Sequence, residues 1–95
     1  PAVSLGQVKI DQDILKVYPN PGSSGQFVYV ELPEEGTIHL GVYDLYGKRV
    51  LTLEEGYLLP GTYRYPVGDM SKGDGMYVIY LQTAWGVYTS RLISH

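Results

Sequence analysis

Two acidic pairs, Glu34-Glu35 and Glu54-Glu55, are the first residues whose spacing could do chemistry. A carboxylate pair that shares acid and base work must face itself across a substrate. Neighbours in an extended chain point apart. Each pair also precedes a glycine, Gly36 or Gly56, so both read as solvated turns. The stretch Asp69-Met70-Ser71-Lys72-Gly73-Asp74-Gly75 has the outline of a calcium loop, in which oxygen ligands alternate and a glycine makes the sharp turn. Here Gly73 stands where a third ligand belongs, Lys72 puts a cation inside the loop, and no Glu closes it. It reads as a turn leading into a strand. Asp11 and Asp13 make no better pattern. His39 and His95 are the only histidines; a zinc site would need at least three ligands, and no Cys can help. His39 is expected mid-strand on the less apolar face, exposed to solvent. No Ser sits in a Gly-x-Ser-x-Gly elbow, and neither Gly-rich segment carries a phosphate-loop lysine at its offset. Neither catalysis nor a metal or cofactor is expected.

The aromatic residues are the other candidates. The chain holds 10 Tyr, one Phe and one Trp. Tyr63 and Tyr65 share one strand face, as do Phe27 and Tyr29, and an aromatic stripe on a sheet can stack on sugar rings. That would make the chain a carbohydrate-binding or adhesive module. The competing reading is packing: Tyr favours strands and buries its ring while its hydroxyl reaches a polar partner. Packing is the preferred reading. Trp85, within Thr83-Ala84-Trp85-Gly86, reads as a hairpin tip that is either a contact residue or a cap over one end of the fold.

Whatever these residues do, short strands must position them. Ninety-five residues allow one domain, and a chain of this size buries about 64% of its unfolded surface, enough for one modest core. The formal net charge of −3 argues against nucleic acid, which needs a clustered basic face. An 18% charged fraction with many aromatics argues against disorder. No apolar run approaches the roughly 18 residues of a membrane-spanning helix. No basic-then-apolar leader or initiator Met opens the chain, so it reads as a piece of a longer precursor.

Turn clusters recur at Pro19–Gly25, Pro33–Gly36, Tyr46-Gly47, Glu54–Gly56, Pro60-Gly61 and Gly73–Gly75. Between them lie runs of strand character at Ile14–Tyr18, Gln26–Leu32, Thr37–Leu45, Lys48–Leu53, Thr62–Val67, Met76–Gln82 and Val87–Ser94. Alternation puts Val28, Val30 and Leu32 on one face, then Ile38, Leu40 and Val42, then Tyr77, Ile79 and Leu81. Leu92 and Ile93 are neighbours, so only one can face inward. Seven strands with turn signals every eight to twelve residues or so predict an all-β fold, a β-sandwich. Residues 1–13 form a linker or an edge strand through Val3, Leu5, Val8 and Ile10, and residues 14–95 form the domain.

Four motifs then fall in register. Ile14-Leu15-Lys16-Val17-Tyr18-Pro19-Asn20-Pro21 is followed by Gly25 and a strand. Val42-Tyr43-Asp44-Leu45-Tyr46-Gly47-Lys48-Arg49-Val50 comes next, then Leu59-Pro60-Gly61-Thr62-Tyr63, then Gly75-Met76-Tyr77-Val78-Ile79-Tyr80-Leu81-Gln82-Thr83. A last strand, Tyr88–Ile93, ends the chain. This order closely resembles the type A C-terminal sorting domain of the type IX (Por) secretion system of Bacteroidetes, over residues 14–95. The resemblance implies an Ig-like β-sandwich of about seven antiparallel strands, a non-enzymatic address label at the C-terminus of a secreted cargo such as a protease or adhesin. It implies recognition in the periplasm by outer-membrane translocation and shuttle proteins, and passage to the outer membrane, the cell surface or the medium. It implies removal by a sortase-like cysteine peptidase at or before residues 1–13, freeing the upstream cargo domains. The region it marks for recognition is Gly75–His95.

By the same resemblance, the motif residues are Tyr18, Pro19, Asn20, Pro21, Gly25, Tyr43, Asp44, Gly47, Lys48, Gly61, Tyr63, Gly75, Tyr77, Arg91, Leu92 and Ile93. Family members often close on a Lys before apolar residues; here Arg91 keeps the charge with a different geometry. Most of these positions are expected to be structural. Pro19 and Pro21 fix φ and remove two donors. Gly47 allows a tight turn at positive φ, and Gly61 and Gly75 start strands where the chain bends closely. A terminal strand with unpaired donors and acceptors would be a docking edge, and the same edge could support a strand-exchanged dimer.

Overall fold

The computed structural model describes residues 8–9, 13–18, 26–67 and 75–94. Among them the chain forms strands joined by turns, with no helix. The strands are β1 (Val8–Lys9), β2 (Leu15–Tyr18), β3 (Phe27–Leu32), β4 (Gly36–Tyr43), β5 (Arg49–Leu58), β6 (Gly61–Pro66), β7 (Gly75–Thr83) and β8 (Gly86–Ser94). A five-stranded sheet runs β1-β8-β7-β4-β5, and a three-stranded sheet runs β2-β3-β6. Seven strands pair antiparallel, as the turn spacing predicts. The short β1 adds a parallel pairing, Val8 with Val87 and Lys9 with Tyr88. Val8 and Lys9 thus stand at the edge of the large sheet.

Alternation explains how the two sheets close on each other. Leu15, Val17, Val28, Val30 and Leu32 come from the small sheet, and Ile38, Leu40, Val42, Ile79, Leu81, Tyr88 and Leu92 from the large one, in a single cluster. Burying each such aliphatic side chain contributes about 1.5–3 kcal/mol relative to leaving it exposed. The terminal pair resolves in the same way. Leu92 faces the core at 0% exposure, and Ile93 faces outward and is half-buried. At one end Trp85 packs against the core beside Gly36, whose Cβ position lies 3.9 Å from Trp85 Cζ3. It is a cap over the sandwich.

Two expectations are corrected. Glu54-Glu55-Gly56 is not a turn: it lies inside β5, with Glu54 opposite Leu40, Glu55 opposite His39 and Gly56 opposite Ile38. Pairing with a long, apolar β4 outweighs local turn composition. The strand accommodates the segment by a register shift between Leu40 and Gly41, and by Gly56 at φ 139, a conformation that side chains disfavour. The two carboxylates do point apart. The second correction concerns the terminal strand. On the side of β8 away from β7, β1 covers Val87 and Tyr88 and Gln26 Nε2 donates to the Ile93 carbonyl at 2.9 Å, so that edge is open only in part.

Candidate functional site

The motif residues separate into turn formers, core anchors and a few exposed positions. The Asp44–Lys48 segment turns β4 into β5. Asp44 Oδ1 accepts from the Tyr46 and Lys48 amides, both at 2.9 Å. The Asp44 amide donates to the Lys48 carbonyl at 2.9 Å, and the Gly47 amide donates to the Asp44 carbonyl at 3.1 Å. Gly47 sits at φ 85 with nothing near its Cβ position, so the glycine is there for backbone conformation and not for space. A short acceptor side chain followed by a left-handed residue is what such a turn requires. Tyr46, at its tip, is 96% exposed.

Leu59-Pro60-Gly61-Thr62-Tyr63 is a tyrosine corner. The Tyr63 hydroxyl donates to the Leu59 carbonyl at 2.7 Å, tying the start of β6 back to the preceding bend. Tyr63 and Tyr65 stack at 6.5 Å and 12°, as their shared face predicts. Both rings pack against the core, and both hydroxyls are engaged, the second donating to Glu54 Oε1 at 3.0 Å. Tyr63→Phe is expected to cost about 1 kcal/mol, the net value of one hydrogen bond. Urea denaturation should show it as a lower midpoint at unchanged slope.

Burial, reinforced by the bond to Glu54, pushes the Tyr65 phenol well above the ordinary tyrosine range. A group whose folded-state value is raised stabilises fully below its unfolded value, near pH 10, and loses that contribution as pH climbs toward the folded value. Stability measured from about pH 9 upward should therefore fall, and Tyr65→Phe should flatten part of that fall. An unchanged slope in the variant would count against the assignment.

On β7 and β8, Tyr77 is half-buried against the core, and its ring lies 3.2 Å from the Gly75 Cβ position. Arg91 is exposed, Leu92 is buried and Ile93 is half-buried. Tyr18 ends β2 at 61% exposure, with Lys16 Nζ 6.0 Å from its ring centroid. Lys48 is exposed in its turn. Pro19, Asn20, Pro21, Gly25 and His95, with the Asp69–Asp74 part of the calcium-like stretch, lie outside the described residues. The motif residues that are described do not converge on one patch. Among the described residues no three His, Cys, Asp or Glu side chains come together as a metal site.

Two features escaped the sequence reading. Gln26 is buried, and its side chain reaches across the sandwich to the terminal strand. Its amide type gave no signal, because only the sheet stacking brings residues 26 and 93 together. The second feature is on the outer face of the large sheet. His39 is not simply exposed there: Nε2 lies 2.9 Å from the Tyr43 hydroxyl and Nδ1 lies 3.6 Å from Glu55 Oε2. The Tyr43 ring meets Tyr80 edge-on, with centroids 5.5 Å apart at 66°. The period-two spacing of His39, Gly41 and Tyr43 was the available clue.

A family model described as "Secretion system C-terminal sorting domain" matches residues 16–95. No curated protein and no solved structure matches the chain significantly.

Proposed function

The chain belongs to the family of type IX secretion system C-terminal sorting domains, and on that premise we propose how its fold serves export. The domain is a sorting signal that directs its protein through the outer membrane to the cell surface or the medium. Its partners are the type IX machinery. In our reading the outer-membrane translocation and shuttle proteins bind the folded sandwich in the periplasm. A sortase-like cysteine peptidase then cuts within or before residues 1–13, releasing the upstream cargo. The domain itself performs no chemistry; the described side chains serve turns, packing and surface contacts.

The observation that carries this reading is the span of the family match, which runs from within β2 to the end of β8. Its extent favours the whole sandwich as the signal over a short linear peptide. The strand arrangement supports a cut near residues 1–13, because among the described residues β1 is a two-residue strand, paired through Val8 and Lys9 at the sheet edge. Two-residue strands open easily. To test this, residues 1–95 are fused behind a fluorescent reporter with a signal peptide, in a type IX-competent bacterium. Mass spectrometry of the exported reporter should find the sandwich removed. An exported reporter that still carries residues 14–95 contradicts the cleavage step.

A further inference from the structure

Backbone register arranges the outer face of the three-stranded sheet in rows. Lys16 on β2, Tyr29 on β3 and Arg64 on β6 form one row, and Tyr18, Phe27 and Pro66 form the next. Alternation points all six away from the core. Lys16, Tyr18, Arg64 and Pro66 are exposed, and Phe27 and Tyr29 are half-buried. Both cations lean toward the second row. Lys16 Nζ lies 6.0 Å from the Tyr18 ring centroid, and Arg64 Cζ lies 4.8 Å from that of Phe27. Tyr18 and Phe27 are register partners on strands about 5 Å apart, so two like charges are held over neighbouring rings. Among the described residues neither cation has a carboxylate partner; the ion pair there joins His39 to Glu55 on the other sheet. Glu31, the acid on β3, stands at the opposite end of the face, where its Oε2 accepts from Thr62 Oγ1 at 3.0 Å.

We propose that this face binds an acidic saccharide, its carboxylate shared by Lys16 and Arg64 and a sugar ring laid on Tyr18 and Tyr29. Two unneutralised cations close together repel, and a single anion between them relieves that cost. Their packing on aromatic rings holds both in place, so little side-chain freedom is lost on binding. The groove alongside selects the rest of the ligand. It is open, about 430 Å³, and Tyr18 and Tyr29 line it, with Lys16 toward one end and Asp13, Glu31 and Thr62 toward the other. Tyr18, 61% exposed, offers its ring to the C–H face of a pyranose. The carboxylates at the far end accept hydrogen bonds from sugar hydroxyls and repel a second anion. That disfavours a peptide run of Asp or Glu, and a polymer with an acid on every unit. A saccharide with an acid on every second ring fits both ends. The site uses this outer face alone and stands whether or not the domain is cut from its cargo.

The probe is a hyaluronan tetrasaccharide, in which glucuronate alternates with N-acetylglucosamine. It is titrated into the isotope-labelled 95-residue chain at low ionic strength, with amide shifts followed by NMR. Shifts should concentrate at Lys16, Tyr18, Phe27, Tyr29, Glu31 and Arg64. Lys16→Gln and Arg64→Gln should each weaken binding about fivefold, the scale of one exposed ion pair, and salt should weaken it further. Both side chains are exposed, so each variant should keep the folded spectrum outside this face. The neutral chitin tetrasaccharide should move the same amides only weakly. No shift with the hyaluronan fragment, shifts scattered over the surface, an equal response to the neutral sugar, or an unchanged affinity in either charge variant would overturn the proposal. So would a stronger response to the peptide acetyl-Glu-Ser-Ser-Ser-Glu-amide; that result would make the face a docking site for acidic peptides.

Discussion

Removal of Thr89–His95 is expected to abolish the cooperative unfolding transition of the domain. β7 pairs with β8 from Gly75↔Ser94 to Thr83↔Gly86, and the truncation strips its partners from Gly75 through Tyr80. Leu92, at 0% exposure, leaves the core, and the Gln26 side chain loses its acceptor at Ile93. A domain of this size has about 5–15 kcal/mol of stability to lose. One emptied leucine site takes roughly 2–5 kcal/mol of that, and a newly bared central strand takes more. The near-ultraviolet circular dichroism of Trp85 and the tyrosines should collapse, and urea should give no sigmoidal transition. A sharp transition with an unchanged slope would mean that β8 is an accessory strand. If the expected result holds, failed export of such a truncated chain reports loss of the fold, not loss of a linear address.

Point substitutions within the same strand separate those two meanings. Leu92→Ala is expected to destabilise the domain by about 3 kcal/mol, because the site is fully enclosed and cannot collapse. Arg91→Gln, one residue earlier on the exposed face, should cost under about 1 kcal/mol. Equilibrium urea denaturation of both variants measures the difference. Similar costs at the two positions would contradict the inward orientation of Leu92. Strand alternation thus divides the terminal motif into an outward charge and an inward anchor. Arg91 and Ile93 lie on the outer face and Leu92 in the core, so of the three Leu92 is the one that cannot be contacted without disturbing the fold.

The same alternation explains how much was legible from sequence. Val28, Val30 and Leu32, like Ile38, Leu40 and Val42, declare a buried face by spacing alone, and the core follows that reading. Gly47 declared its turn because a residue at positive φ has few alternatives. Glu54-Glu55-Gly56 misled because composition speaks for local preference, whereas β5 is held by its partner β4 across a bulge. The Gln26 tie and the His39–Tyr43–Glu55 arrangement were hidden for a related reason. Each depends on which strands become neighbours, and that is decided by the closing of two sheets. The terminal strand looked like a free edge in sequence; β1, from the other end of the chain, covers part of it.

The central claim is that the folded sandwich is itself the export signal. The direct measurement is cell fractionation of a signal-peptide-bearing fluorescent reporter fused to residues 1–95, in a type IX-competent strain and in its counterpart lacking the outer-membrane translocon. The account predicts reporter at the surface or in the medium of the first strain and retained in the periplasm of the second. The same periplasmic distribution in both strains, with the domain folded and protease-resistant, would contradict it.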